Sequence, residues 1–216
     1  MTERIFEVEI SNKTSKGYET ATALEMPATW AEFHDALEKA RIKDARDCHN
    51  ELTKIEYPGI QRGMIGDNVN LYELNLLAQR LAMLSEDDRM GLDGLLQIEG
   101  GRHIGPIPLP RLINLTYNLD NYDFISDIKD YDDLGRYYFF EGGYNIDNKF
   151  GSFVDYIDFE RYGEDCAINE GGTLTDAGYI RPTGDSWNRY FDGSLEDIPD
   201  ENRVTGSGEE LEQPTT

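Results

Sequence analysis

Cysteine is nearly missing from this chain: Cys48 and Cys166 are the only two in 216 residues, too few for a disulfide framework. Histidine is almost as rare. His34 and His49 lie near Cys48 and suggest a thiol nucleophile or zinc ligands, but a zinc site takes about four ligands and His103, the third histidine, is far along the chain. The expected role of all four is ordinary packing or surface duty. Long apolar runs are absent too; none approaches the roughly 20 residues that span a bilayer, and the start, Met1 to Arg4, has no apolar signal segment. A cytoplasmic protein with no membrane partner is expected.

The largest deficit is in positive charge. There are 20 Lys+Arg against 43 Asp+Glu, a net charge of −23 with a pI near 4.3. Such a balance argues against binding nucleic acid or an anionic membrane and makes a basic protein surface the natural partner. After Lys54 only Lys129 and Lys149 are lysines, whereas a metal-dependent nuclease normally sets a Lys, His or Arg beside its carboxylates. The acidic stretches Asp130 to Asp133 and Asp155 to Asp165 lack the spacing and glycine of a calcium loop. The Gly-Gly pairs at 100–101, 142–143 and 171–172 lack the lysine and the strand-to-helix setting of a phosphate loop and read as turns. No cofactor and no metal are expected.

Aromatic residues are plentiful: 13 Tyr, 9 Phe and 2 Trp, within a hydrophobic share of 38%. Acidic chains that stay unfolded are poor in such side chains, so this one is expected to fold. Its charge is uneven. Residues 1–60 hold 12 acids and 8 bases and residues 61–120 hold 8 and 5, while residues 121–216 hold 23 acids and 7 bases. Two like charges about 7 Å apart in water repel by only about 0.6 kcal/mol. Many such pairs lower stability without adding to a core, which suggests that the acidity serves a use.

Along the chain, Phe6, Val8 and Ile10 alternate with Glu7 and Glu9 as in a half-buried strand. After a turn over 11–17, the alternation from Tyr18 to Met26 completes an antiparallel hairpin. Pro27 ends it. Thr29 and Glu32 have capping-box spacing, and Trp30, Phe33, Leu37 and Ala40 form the apolar face of a helix reaching Ile42. A strand from Leu52 to Tyr57 is expected to close the first sheet. Beyond a linker at 61–68, Asn70 and Glu73 start a helix whose Leu74, Leu77, Leu81 and Leu84 read as core. Ser85 and Asp88 start another, bearing Leu92, Leu95, Leu96 and Ile98. Proline-rich residues 105–110 interrupt the chain before the apolar stretch from Leu109 to Leu119.

From Asp120 the texture is acidic and aromatic. Asp123, Asp127, Asp130, Asp132 and Asp133 gather around Tyr122, Phe124 and Tyr131, and a helix is expected from Leu134 to Phe140, ending at Gly142 and Gly143. Then Phe153 to Ile168 sets Asp155, Asp158, Glu160, Glu164 and Asp165 among Phe153, Tyr156, Phe159 and Tyr162. If Asp158 caps a helix beginning at Phe159, the acids that follow form a ridge answered only by Arg161. Strands are expected from Thr173 to Ile180 around a turn at 176–178, with Trp187, Tyr190 and Phe191 packing a last edge, and residues 199–216 read as a disordered tail.

The run from Tyr156 to Asp165, Tyr-Ile-Asp-Phe-Glu-Arg-Tyr-Gly-Glu-Asp, resembles the aromatic-acidic signature of the ArdA family of antirestriction proteins, carried by conjugative plasmids and transposons. The resemblance implies an elongated α+β chain of three small subdomains: an α+β unit (1–62), a helical middle (63–119) and an acidic, aromatic-rich α+β unit (120–198). It further implies a homodimer that imitates duplex DNA, occupies the DNA-binding groove of a type I restriction-modification enzyme and breaks no bond. The phosphate-mimicking carboxylates would then be Asp123, Asp127, Asp130, Asp132, Asp133, Asp155, Asp158, Glu160, Glu164 and Asp165. Two other readings stay open from the residues alone: an acidic inhibitor or adaptor of another basic DNA-handling or defence protein, and a carboxylate-metal hydrolase.

Overall fold

Alternating apolar residues build the first sheet. In the computed structural model, which describes residues 3–13, 20–45, 48–141 and 151–194, β1 (Phe6–Asn12) buries Phe6, Val8 and Ile10 and leaves Glu9 exposed. β2 (Thr22–Met26) pairs antiparallel along one edge, with Phe6 opposite Met26 and Ile10 opposite Thr22. β3 (Cys48–Ile55) pairs antiparallel along the other, giving the order β2-β1-β3. This third strand starts earlier than the apolar pattern suggests. His49, Glu51 and Lys54 point outward on it and hide the alternation, while Asn50 is buried and pairs with Val69 in both directions at 3.0 Å.

Helix α1 (Trp30–Lys39) begins at the expected capping box, with Thr29 and Glu32 bonding each other's backbone amides. Phe33, Ala36 and Leu37 face the sheet. Trp30 does not join them: at the first helical position it stays 39% exposed and stacks on His34, ring centres 5.3 Å apart.

The middle of the chain is helical. Asn70 caps α2 (Leu71–Met83) and Ser85 caps α3 (Glu86–Arg102), each side chain accepting a backbone amide of the first turn. A proline at the second position opens α4 (Leu109–Tyr117), where a missing N–H costs no helical bond. Leu74, Leu77 and Leu81 are buried, as are Leu92, Leu95 and Leu96; burying such a side chain contributes roughly 1.5–3 kcal/mol.

One apolar cluster runs from Ile5, just before β1, through these helices to Leu115 and takes in Ile180 and Phe191 from late in the chain. Buried asparagines carry the polar part of that continuity. Asn75, fully enclosed on α2, accepts from the Ala28 amide at 2.7 Å and donates to the Ala28 carbonyl at 3.1 Å. On α4, Asn114 accepts from the Tyr190 and Phe191 amides, and Asn118 bonds both the N–H and the C=O of Asn188. These amides imitate a backbone partner and satisfy groups that would be costly to bury unpaired. The segment holding Trp187 and Phe191 therefore lies along α4 rather than extending a sheet as a last edge.

A second sheet follows a one-turn 3-10 helix at Leu119–Asn121. β4 (Tyr122–Ile125) and β5 (Thr173–Leu174) flank β6 (Tyr179–Pro182), all antiparallel. Between β4 and β5 come α5 (Tyr131–Glu141), a 3-10 turn (Gly151–Tyr156) and α6 (Phe159–Glu170). The expected helix end at Gly142 and Gly143 and the tail at 199–216 lie outside the described residues.

Helices α5 and α6 cross with their backbones in contact at two glycines. A Cβ on Gly135 would overlap the Phe159 carbonyl and lie 3.1 Å from the Gly163 nitrogen. One on Gly163 would overlap the Tyr131 carbonyl and lie 2.9 Å from the Gly135 nitrogen. Since both obstacles are backbone, Gly163→Ala is expected to destabilise the protein by about 1–3 kcal/mol. Gly101→Ala, on α3 with open space where the methyl would go, should instead be neutral or stabilising by up to about 1 kcal/mol. Urea unfolding of the two variants checks the contrast.

At the other end of the molecule, the Arg4 guanidinium, followed by the Thr29 amide, holds the Glu32 carboxyl at about 2 against an ordinary 4.5. A depressed carboxyl pKa stabilises the fold above the ordinary value and loses that contribution as the pH falls towards the folded value. Between pH 4.5 and 2, the unfolding midpoint of Arg4→Gln is therefore expected to fall less steeply than that of the wild type.

Candidate functional site

Asp158 caps α6 as the sequence suggests, its Oδ1 accepting the Arg161 amide at 3.1 Å. Phe159, directly after the cap, is buried beneath α5 against Phe139 and Phe140, and the Arg136 guanidinium lies 4.4 Å from its ring centre. The Gly163 crossing fixes the opposite turn of the same helical face. With Phe159, Gly163 and Ala167 turned inward, Glu160, Glu164 and Asp165 are necessarily turned to solvent, and all three are exposed. Glu160 and Glu164 share a face about 6 Å apart along the axis, at 1.5 Å per residue.

The other anticipated carboxylates divide by what they bond. Asp127, in the turn after β4, and Asp155, in the turn before α6, are exposed. Like Glu160, Glu164 and Asp165, their side chains have no ion pair or hydrogen bond among the described residues. Asp130 and Asp133 organise the start of α5: Asp130 accepts the Asp133 amide at 2.8 Å and Asp133 accepts the Lys129 amide at 3.1 Å. Negative side chains there suit the positive end of the helix dipole. Asp132 pairs with Arg136 one turn on, and Asp123 pairs with Arg181 at 2.9 Å. The α5–α6 unit thus brings Asp130, Asp132, Asp133, Asp158, Glu160, Glu164 and Asp165 onto one packed pair of helices, with Asp127 and Asp155 in the turns that lead into it. Asp123 stands apart on β4.

Asp123 belongs to a polar clasp that pattern reading missed. Tyr138 from α5 and Tyr179 from β6 both donate to Glu170 at the end of α6. Arg181 donates to the Tyr138 hydroxyl, to Glu170 at 3.3 Å and to Asp123 at 2.9 Å. Burial, and then the bonds to Glu170, push both phenols above their ordinary range, so they remain donors. Four elements meet at this clasp. Below it lies a small apolar cluster of Ile128, Leu134, Ala167 and Tyr179. The one sequence signal was that Tyr179 and Arg181, two apart on a strand, share a face.

Among the described residues no group of three or more His, Cys, Asp or Glu side chains is placed to hold a metal ion. Cys48 is buried, and that burial pushes its thiol above the ordinary range, the opposite of activation. No described helix is long and apolar enough to cross a membrane.

The geometry defines an α+β protein whose α5–α6 helix pair and the turns leading into it display solvated carboxylates. The sequence model of the antirestriction protein family ArdA matches residues 12–181, a stretch reaching from the end of β1 into β6. The chain belongs to the ArdA family of antirestriction proteins. No curated protein matches it.

Like charges held this closely repel through water, and salt screens them. Raising the ionic strength from roughly 0.01 to 0.15 M shortens the screening length from about 30 to about 8 Å and is expected to raise the melting temperature. A calorimetric Tm that does not move with sodium chloride would contradict dense repulsion on this face.

Proposed function

We propose that this antirestriction protein acts by imitation of duplex DNA: it occupies the DNA-binding groove of a type I restriction-modification enzyme and so protects incoming mobile DNA from cleavage. The observation that supports this reading most is the set of solvated carboxylates on and beside the glycine-locked helix pair: Glu160, Glu164 and Asp165 on α6, with Asp127 and Asp155 in the turns that lead into the pair, have no cation partner among the described residues. Duplex DNA carries one negative charge per roughly 1.7 Å of axis, and a groove that grips it is lined with bases to match. Carboxylates on a rigid support meet such a groove without the reorganisation that flexible acids would need. The chain works as a homodimer in the cytoplasm, binds no nucleic acid itself and breaks no bond.

On this reading Asp127, Asp155, Glu160, Glu164 and Asp165 stand in for phosphates directly. Asp130, Asp133 and Asp158 contribute charge while capping helices, and Asp123 and Asp132 contribute least because a guanidinium already faces each. A solvent-screened charge pair is worth roughly 0.2–1 kcal/mol, so each amide substitution among the first five is expected to weaken binding by up to about fivefold.

The test is competition against duplex DNA for the methyltransferase core of a type I enzyme, with titration across a range of salt. Expected are displacement of DNA, weakening with ionic strength, and losses that accumulate as Asp155, Glu160, Glu164 and Asp165 become amides. Abolition of binding by any one of these substitutions, or binding indifferent to salt, would count decisively against imitation.

A further inference from the structure

Among the described residues five arginines lie over an aromatic ring, three of them closely: Arg80 over Tyr117 at 3.9 Å, Arg111 over Trp187 at 4.1 Å and Arg136 over Phe159 at 4.4 Å. Two of these close three also pair with a carboxylate, Arg111 with Glu99 and Arg136 with Asp132. That ring-and-acid grip is how guanidinium is recognised generally, because the group is planar, weakly hydrated and carried on an apolar stem.

The same ingredients occur once more without the arginine. A cleft of about 330 Å³ opens between the N-terminal half of α3, the 3-10 turn before β4, and β4 itself. Its deep wall is apolar, with Leu95 and Ile180 buried, and Tyr122 and Phe124 stand half-buried at the side. Asp87 and Asp120 lie exposed at the mouth, with no side-chain hydrogen bond or ion pair among the described residues. No lysine, arginine or histidine lines it. Depth comes from Gly91, where α3 has no side chain; a Cβ there would meet Phe124 at an ordinary 3.8 Å.

We infer that this cleft takes a single arginine side chain of the protein partner, its stem against the apolar wall, its guanidinium beside Tyr122 or Phe124 and bonded to Asp87 and Asp120. The identity of that partner rests on the function proposed above; the chemistry of the cleft does not. A lone buried anchor of this kind supplies register and residence time, which a field of solvated charges supplies poorly.

Gly91→Leu fills the cleft without changing any charge, and leucine favours a helix over glycine, so the variant is expected to fold with an undiminished Tm. Against the type I methyltransferase core it should bind about tenfold more weakly, a hot-spot-sized loss, with the salt dependence of the wild type. Equal binding by wild type and Gly91→Leu would overturn the inference while leaving imitation of DNA intact. Failure of the wild type to bind that enzyme would remove the proposed partner but not the cleft, which a second arm tests alone. In NMR titrations of the full chain, N-acetyl-arginine amide should shift Tyr122 and Phe124 resonances in the wild type and not in Gly91→Leu, and the neutral isostere N-acetyl-citrulline amide should shift neither. Absence of the arginine shifts from the wild type, or their persistence in Gly91→Leu, would show that the cleft does not read guanidinium.

Discussion

The meeting of two helix backbones at Gly135 and Gly163 is the constraint from which the acidic end of this molecule follows. Backbone contact opposes rotation of either helix about its own axis, because a turn would carry a side chain to where only a glycine fits against the Phe159 and Tyr131 carbonyls. Once that rotation is fixed, Phe159 and Ala167 must point inward and the acids at 160, 164 and 165 must point outward. A larger pair of side chains at the crossing would hold the helices farther apart and leave the angle adjustable. Here position is set by main chain, and the charged surface inherits main-chain accuracy.

A related economy holds the rest together. Buried leucines line α2, α3 and α4, yet apolar contact has no direction and would tolerate sliding. Asn75, Asn114 and Asn118 remove that freedom, since a side-chain amide bonded to both the N–H and the C=O of another segment fixes distance and orientation together. Each sits among leucines and isoleucines, where an unpaired amide would cost several kcal/mol by solvent transfer. The arrangement is therefore unforgiving, and the first sheet, the helical middle and the segment near Phe191 share one core.

Local signals in the sequence are legible because they act locally. Thr29 with Glu32, Asn70, Ser85 and Asp158 all cap helices, since capping involves neighbours only two or three residues away. The alternation of β1 survives because one of its faces is wholly apolar. What could not be read depends on residues distant in sequence. Arg181 meets a carboxylate 58 positions earlier, and nothing near either residue announces the other. Gly135 and Gly163 look like weak points in two helices until their backbones are seen to touch. Helical spacing alone turns Trp30 inward, whereas at the first position of α1 it stacks on His34. For the acids, the sequence disclosed the charge and the α6 cap but not which carboxylates are already answered: Asp123 and Asp132 resemble their neighbours in sequence and differ from them only in facing a guanidinium.

The clasp around Arg181 bears on how acidic such a protein can become. Of the described bases in the second half of the acidic unit's neighbourhood, Arg136 supports a ring and an acid, Lys129 donates to the Ala177 carbonyl, Arg189 donates to the Asp192 carbonyl, and Arg181 joins four elements. Arg161 alone among them has no side-chain partner among the described residues. Arg136, Lys129, Arg189 and Arg181 are thus rivets rather than leftovers. Among these described bases, drift towards still greater acidity has one inexpensive step, at position 161; replacing any of the other four would remove a bond that holds the acidic unit together.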